Sequence, residues 1–95
     1  MSMNMESLKD FAREIAIITE EVQDLLVQKR HDYGPGNIPK FGEKGVVVRL
    51  FDKAERLANL VWEDKAPNFE AVEDTWKDVI GYGILGLLEH RKHRA

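Results

Sequence analysis

The chain contains no cysteine, which excludes a disulfide scaffold, a zinc ribbon and a thiol nucleophile. It has three prolines and no apolar run of about 18 residues, so nothing in it reads as a membrane span. An excess of positive charge is also missing. Fourteen Lys and Arg stand against seventeen Asp and Glu, a net charge of −3, which argues against a dedicated nucleic-acid binder. The opening MSMNMESLKD has neither the basic end nor the apolar stretch of a secretory signal. The expected location is the cytoplasm. What is present is the composition of a globular domain, 43% hydrophobic and 33% charged, too apolar for global disorder. Ninety-five residues make one domain. A chain this short hides only about 60–65% of its unfolded surface, so association with further copies would add to its stability.

The hydrophobic pattern is helical throughout. Ser7 and Asp10 have the spacing of a capping box, and from there Leu8, Phe11, Ile15, Ile18, Val22 and Leu25 recur at steps of three and four. That is the 3.5-residue period of helices packed side by side. This first helix is expected over about 7–31. Residues 31–45 hold four glycines and two prolines and read as a loop, long for a helical bundle. A second helix is expected over 46–65, with Val47, Leu50, Ala54, Leu57 and Val61 as its stripe, ending before Pro67. Asn68 then caps a third, over 69–91, whose main stripe is Val72, Trp76, Val79, Gly83 and Leu87. The fold class is all-α, three long helices in a bundle. Ile80, Tyr82, Ile84, Leu85 and Leu88 lie off the main stripe, so the third helix is apolar nearly all round. A helix apolar on every side needs cover on every side. The bundle is therefore expected to complete its core by dimerisation or higher oligomerisation.

Four groups of residues could carry chemistry. GYGILG at 81–86 matches the dinucleotide fingerprint letter for letter, but it lies inside an apolar helix without the preceding strand that the fingerprint requires. Close helix packing at Gly83 and Gly86 explains it. On the third helix Glu70, Asp74 and Asp78 follow at i, i+4 and i+8, and like charges at that spacing repel. Either neighbouring cations or a Mg²⁺ ion would offset this, while a solvated face near a helix N-terminus accounts for Glu70 and Asp74 equally. Asp78 differs, because its face turns apolar at Tyr82 and Leu85, so it is expected to be part-buried with a partner. Arg49, Asp52, Lys53 and Arg56 share the polar side of the second helix. Asp52 and Arg56 suit an ordinary i, i+4 ion pair, and the three cations suit phosphate oxygens. The loop and its approach hold Lys29, Arg30, His31, Asp32, Tyr33, Lys40, Phe41 and Lys44. Tyr33 or Phe41 could stack on a base, or pin the loop to the bundle. His31, His90 and His93 do not have metal-ligand spacing. No Ser, His and acid fall in an order that suggests a nucleophile.

Several motifs in succession carry a family likeness. Lys29-x-x-Asp32-Tyr33-Gly34 is followed by Phe41-Gly42-x-x-Gly45, then by Arg49-Leu50-x-Asp52-Lys53-x-x-Arg56-Leu57-x-Asn59-Leu60, and finally by Glu70-x-Val72-x-Asp74-Thr75-x-x-Asp78-x-x-x-Tyr82. Together these resemble the phage-rich nucleotide modification associated domain family over residues 25–90. The resemblance implies a nucleotide connection and a phage or prophage origin, with the host cytoplasm as location, but no reaction. A more distant similarity is to the MazG-type all-α nucleoside triphosphate pyrophosphohydrolases, which bind Mg²⁺ through an E-E-x-x-E helix and a later E-x-x-D or E-x-x-x-D helix. On that similarity Glu20, Glu21 and Asp24 stand for the first motif, and Asp74 and Asp78 for the second. Asp24 replaces the last Glu, and a whole helix bearing Asp52 lies between the motifs.

The expected function is that of a small helical nucleotide-binding protein. Lys29, Asp32, Tyr33, Arg49, Asp52, Lys53 and Arg56 are its candidate nucleotide contacts. If it is an enzyme, the expected reaction is Mg²⁺-dependent attack of water on the α–β phosphoanhydride. Asp74 and Asp78 are then the metal ligands, Glu21 a ligand or water-positioning base, and the three a catalytic set. The alternatives are sequestration of a host or cyclic signalling nucleotide without chemistry, and a regulatory oligomer whose partner is another protein.

Overall fold

The computed structural model describes residues 4–34, 41–63 and 69–92. Three helices account for almost all of them: α1 (Met5–Tyr33), α2 (Gly42–Leu57) and α3 (Phe69–Lys92). There is no strand among the described residues, and the all-α class read from the periodicity is the observed one. No described helix is long and apolar enough to cross a membrane.

The helix ends differ from the expected ones, for local reasons. α1 starts two residues before Ser7. Its cap is Asn4, whose side-chain oxygen accepts from the Ser7 backbone N–H at 2.8 Å. This is the N-cap bond to the third helical residue. Asp10 turns instead to Arg13, at 2.6 Å, so the Ser7–Asp10 capping box does not form. α1 then runs on through His31 and Asp32 to Tyr33. It stops at Gly34, whose φ of 80° lies in the left-handed region that glycine enters without a Cβ penalty. Gly42, at φ 61°, opens α2, four residues ahead of the expected start, so the break between helices is shorter than 31–45. α2 passes after Leu57 into a single π-helical turn, Ala58–Trp62, in which the Glu63 N–H reaches back five residues to the Ala58 carbonyl. Pro67, Asn68, Lys40 and His93 lie outside the described residues.

α3 is the centre of the packing. α2 lies along it and the second half of α1 crosses it. Glycines set the closest approaches: a Cβ on Gly81 would stand 3.2 Å from Leu26 Cδ2, and one on Gly86 3.3 Å from Val46 Cγ1. A Cβ on Gly83 would meet nothing within 4 Å, so close packing falls on Gly81 and Gly86, not on Gly83. Val22 and Val46 are the fully buried apolar side chains, and Thr75 and Glu89 are buried polar ones.

The regular stripes are only in part where the chain packs on itself: Val22, Leu25, Leu50, Leu57, Val72 and Val79 are covered, and their other members are exposed. In α2 and the π-helical turn that follows it, the covered positions include Val46, Leu50, Lys53, Leu57 and Leu60, whereas Val47, Ala54 and Val61 of the expected stripe are exposed. In α3 Trp76, Gly83 and Leu87 of the expected stripe are exposed, while Thr75, Gly81 and Tyr82 face neighbouring helices. In α1 every residue from Asn4 to Glu21 is exposed. The radius of gyration is 16.0 Å, against about 12–13 Å for a compact chain of this length.

Candidate functional site

Asp78 lies where the three helices meet. Its Oδ1 is 3.3 Å from Lys29 Nζ on α1, and its Oδ2 is 3.0 Å from Lys53 Nζ on α2. The carboxylate is 18% exposed, so a lone negative charge there would be costly, and two ammonium groups hold it. Three features of local folding bring them together. Lys53 occupies a covered position of α2. Lys29 follows one turn after Leu25 and Leu26 on the face of α1 that crosses α3, and Gly81 lets that crossing come close. Next to this junction Lys77 Nζ stands 3.6 Å from Glu21 Oε2, a second α1–α3 ion pair. A small cleft of about 30 Å³ sits beside it, lined by Lys29, Lys77, Asp78 and the apolar Leu25, Leu26 and Tyr82 among others. That is room for about one water. Two cations face one anion at Asp78, and a third cation adjoins them.

The other expected site residues distribute as follows. Arg56 donates from Nε to Thr75 Oγ1 at 3.2 Å, and the Thr75 hydroxyl in turn donates to the Ala71 carbonyl. The Asp52–Arg56 pair therefore does not form, because Arg56 turns toward the buried hydroxyl of α3. Asp52, Arg49 and Asp74 are exposed, and their side chains make no hydrogen bond or ion pair among the described residues. Asp32 accepts from Gln28 Nε2 at 3.0 Å and lies 3.3 Å from His31 Nδ1, which places it at the end of α1 and not at the junction. Tyr33 and Phe41 are both largely exposed, at 67% and 75%, so neither ring pins the connection to the bundle. His90 lies 3.2 Å from Glu43 Oε1 and ties the end of α3 to the start of α2.

The carboxylates do not gather. Among the described residues no group of three or more Asp, Glu or His side chains could hold one metal ion. Glu21 and Asp78 each face lysine ammonium groups instead. For Asp78 to join Asp74 as a metal ligand, Lys29 and Lys53 would first have to leave its oxygens. As arranged, Asp78 faces ammonium groups and Asp74 is exposed, so the two carboxylates are not paired around a common point.

Two residues of this region stood outside the expected set. Lys77 adjoins Asp78 in sequence, but nothing in its spacing indicates the Glu21 partner on another helix. Thr75 stands within the family-like motif, yet a threonine amid helical charges gives no sign of being buried. Compared with protein-family models, with curated proteins and with solved structures, the chain matches none.

Proposed function

We propose that this protein binds a nucleotide through its phosphates at the junction of α1, α2 and α3. The observation that carries the reading is the convergence of Lys29 and Lys53 from separate helices on the single carboxylate of Asp78. Each ammonium has three donors and uses one on Asp78, which leaves donors free for an incoming oxyanion. Asp78 is the anion that these two ammonium groups face in the free protein, and an incoming phosphate would compete with it for them. The cleft itself admits only about a water, so phosphate oxygens would be met at its rim. Exposed Arg49 and the terminal nitrogens of Arg56 supply further charge, and the open rings of Tyr33 and Phe41 supply surfaces for a base.

Binding without hydrolysis is the form this arrangement favours, because lysines occupy the carboxylate oxygens that a metal would need. That corresponds to a sequestering protein rather than a pyrophosphohydrolase. Both are separated by one experiment. The purified protein is mixed with ribo- and deoxynucleoside triphosphates and cyclic nucleotides, with Mg²⁺ or with EDTA. It is then passed through an ultrafiltration membrane, and filtrate and retained material are quantified by mass spectrometry. The expected result is one species depleted from the filtrate in either condition and recovered whole from the denatured protein. A new monophosphate appearing only with Mg²⁺ would move the function to pyrophosphohydrolysis. A filtrate unchanged in every species would overturn the nucleotide reading.

A further inference from the structure

The chain leaves a large part of each regular apolar stripe uncovered. On α1, Leu8, Phe11, Ile15 and Ile18 are each about half exposed, along a stretch from Met5 to Glu21 that is about 25 Å long. On α2 and α3, the expected stripes line an open trough. One part of it, about 490 Å³, is walled by Leu50, Leu57, Val61, Trp62, Trp76 and Val79. A second part, about 300 Å³, continues from Leu50 to Gly83 and Leu87. A 3.5-residue repeat is the pattern of a helix packed lengthwise against another helix, and within one chain only some members of these repeats, such as Val22, Leu50, Leu57 and Val79, find such a neighbour.

We propose that a second copy of this chain covers these stripes, the α2–α3 troughs meeting about a two-fold axis and the projecting half of each α1 lying along the partner. Area favours a copy over a small ligand. The chain exposes 7943 Å², whereas a compact monomer of 10.9 kDa exposes about 5,600 Å². The excess, about 2,300 Å² per chain and so about 4,600 Å² for a pair, is in the range of about 2,000–5,000 Å² that permanently associated homodimers bury in total. Stability points the same way. In proteins most helical stability comes from packing an amphipathic face, and from Met5 to Glu21 the apolar face of α1 lies in solvent. A self-complementary pairing also covers trough and stripe on both chains at once, as a two-fold interface does. The pairing expected from the all-round apolarity of α3 thus rests on the outward faces of all three helices.

Trp62 and Trp76 are the only two tryptophans, and both wall the trough. Their emission therefore reports its cover. Sedimentation velocity of the full chain at tens of micromolar is expected to give a dimer with blue-shifted emission, resistant to acrylamide quenching. Dilution should release a monomer whose emission moves to the red. Phe11→Asp and Leu87→Asp, on α1 and on the trough, should each weaken the dimer by about 30-fold or more, the loss typical of an interface hot spot. A monomer at these concentrations would overturn the proposal. So would a dimer whose tryptophans stay open to acrylamide, or one that Phe11→Asp leaves unchanged. The wild-type dilution series needs no variant, so it decides the matter even if an Asp substitution prevents folding. No nucleotide enters the measurement, and the phosphate-binding reading stands or falls separately.

Discussion

Lys53 Nζ stands 3.0 Å from Asp78 Oδ2 and ties α2 to α3 at the level where Lys29 arrives from α1. The two lysines are not equivalent. Lys53 is nearer and 28% exposed, whereas Lys29 is at 3.3 Å and 38% exposed. Coulomb attraction is screened less where water is more completely excluded, so the α2–α3 half of the bridge carries more of the stability.

Removing the carboxylate charge separates structural and functional roles. Asp78→Asn is expected to lower stability by about 1–2 kcal/mol, between the values for exposed and buried pairs. In a chain of this size that is a fall in Tm of about 4–16 °C. Lys53→Met should cost more than Lys29→Met. For ligands the direction reverses: Asp78→Asn removes the anion that competes for both ammonium groups, so phosphate affinity should hold or rise. Titration calorimetry with whichever nucleotide the ultrafiltration experiment identifies would show this. Loss of all binding in a folded Asp78→Asn protein would contradict the assignment. Loss of turnover with binding intact would instead mark Asp78 as part of a hydrolase.

Thr75 carries a second tie between α2 and α3. Its hydroxyl is buried and bonded on both sides, accepting from Arg56 and donating to the Ala71 carbonyl. Thr75→Val keeps the shape and removes both bonds, and should cost about 1 kcal/mol. Arg56→Met should cost a similar amount. The double variant should lose less than the sum of the two, because both singles break the same bond. Strict additivity in chemical denaturation would show that the Arg56–Thr75 contact contributes nothing.

The helices were legible because alternating apolar steps leave little choice of secondary structure, and the third boundary held to a residue or two. The direction of each stripe was legible only in part. Val47 begins the regular repeat of α2, yet Val46 is the buried residue, since the gap left by Gly86 on α3 admits it and not its neighbour. A repeat tells that a face wants cover, not which helix provides it, and here much of that face remains open in the single chain. Breaks misled for a related reason. Gly42 and Gly45 read as loop, but one opens α2 with a positive φ and the other continues it under Phe41. At the site, Asp78 could be singled out because an acid on a face turning apolar needs a partner. Which lysines answer it depends on how α1 and α2 each meet α3, and a single sequence does not record those approaches.

The three glycines of GYGILG give a graded test of the packing. Each sits inside α3, where replacement by Ala gains about 0.5–1 kcal/mol of helix propensity if nothing opposes it. At Gly83 a Cβ meets open space in the single chain, so at a dilution that separates the copies Gly83→Ala should show the full gain. At Gly81 and Gly86 the new methyl would press on Leu26 and Val46 at 3.2 and 3.3 Å, so the gain should shrink or turn into a loss. Thermal melts of the three variants at one protein concentration would rank them. Equal gains at all three positions would mean that α1 and α2 do not approach α3 as described.

The start of α1 offers the last test, because two different caps make opposite forecasts. Asn4 Oδ1 accepts from the Ser7 backbone N–H at 2.8 Å, while the Ser7 hydroxyl has no part in the cap. Asn4→Ala should therefore fray the first turn, since replacing a good cap by Ala leaves a helix-end N–H without its acceptor. Asn4→Asp should preserve the turn, because a carboxylate accepts the same bond and also suits the positive end of the helix dipole. Ser7→Ala should change nothing there, because the backbone N–H that the cap needs is retained. Amide hydrogen exchange at Met5 to Leu8 would read all three variants directly. Fraying in Ser7→Ala but not in Asn4→Ala would restore the Ser7–Asp10 capping box and move the start of α1 to the position that periodicity alone suggests.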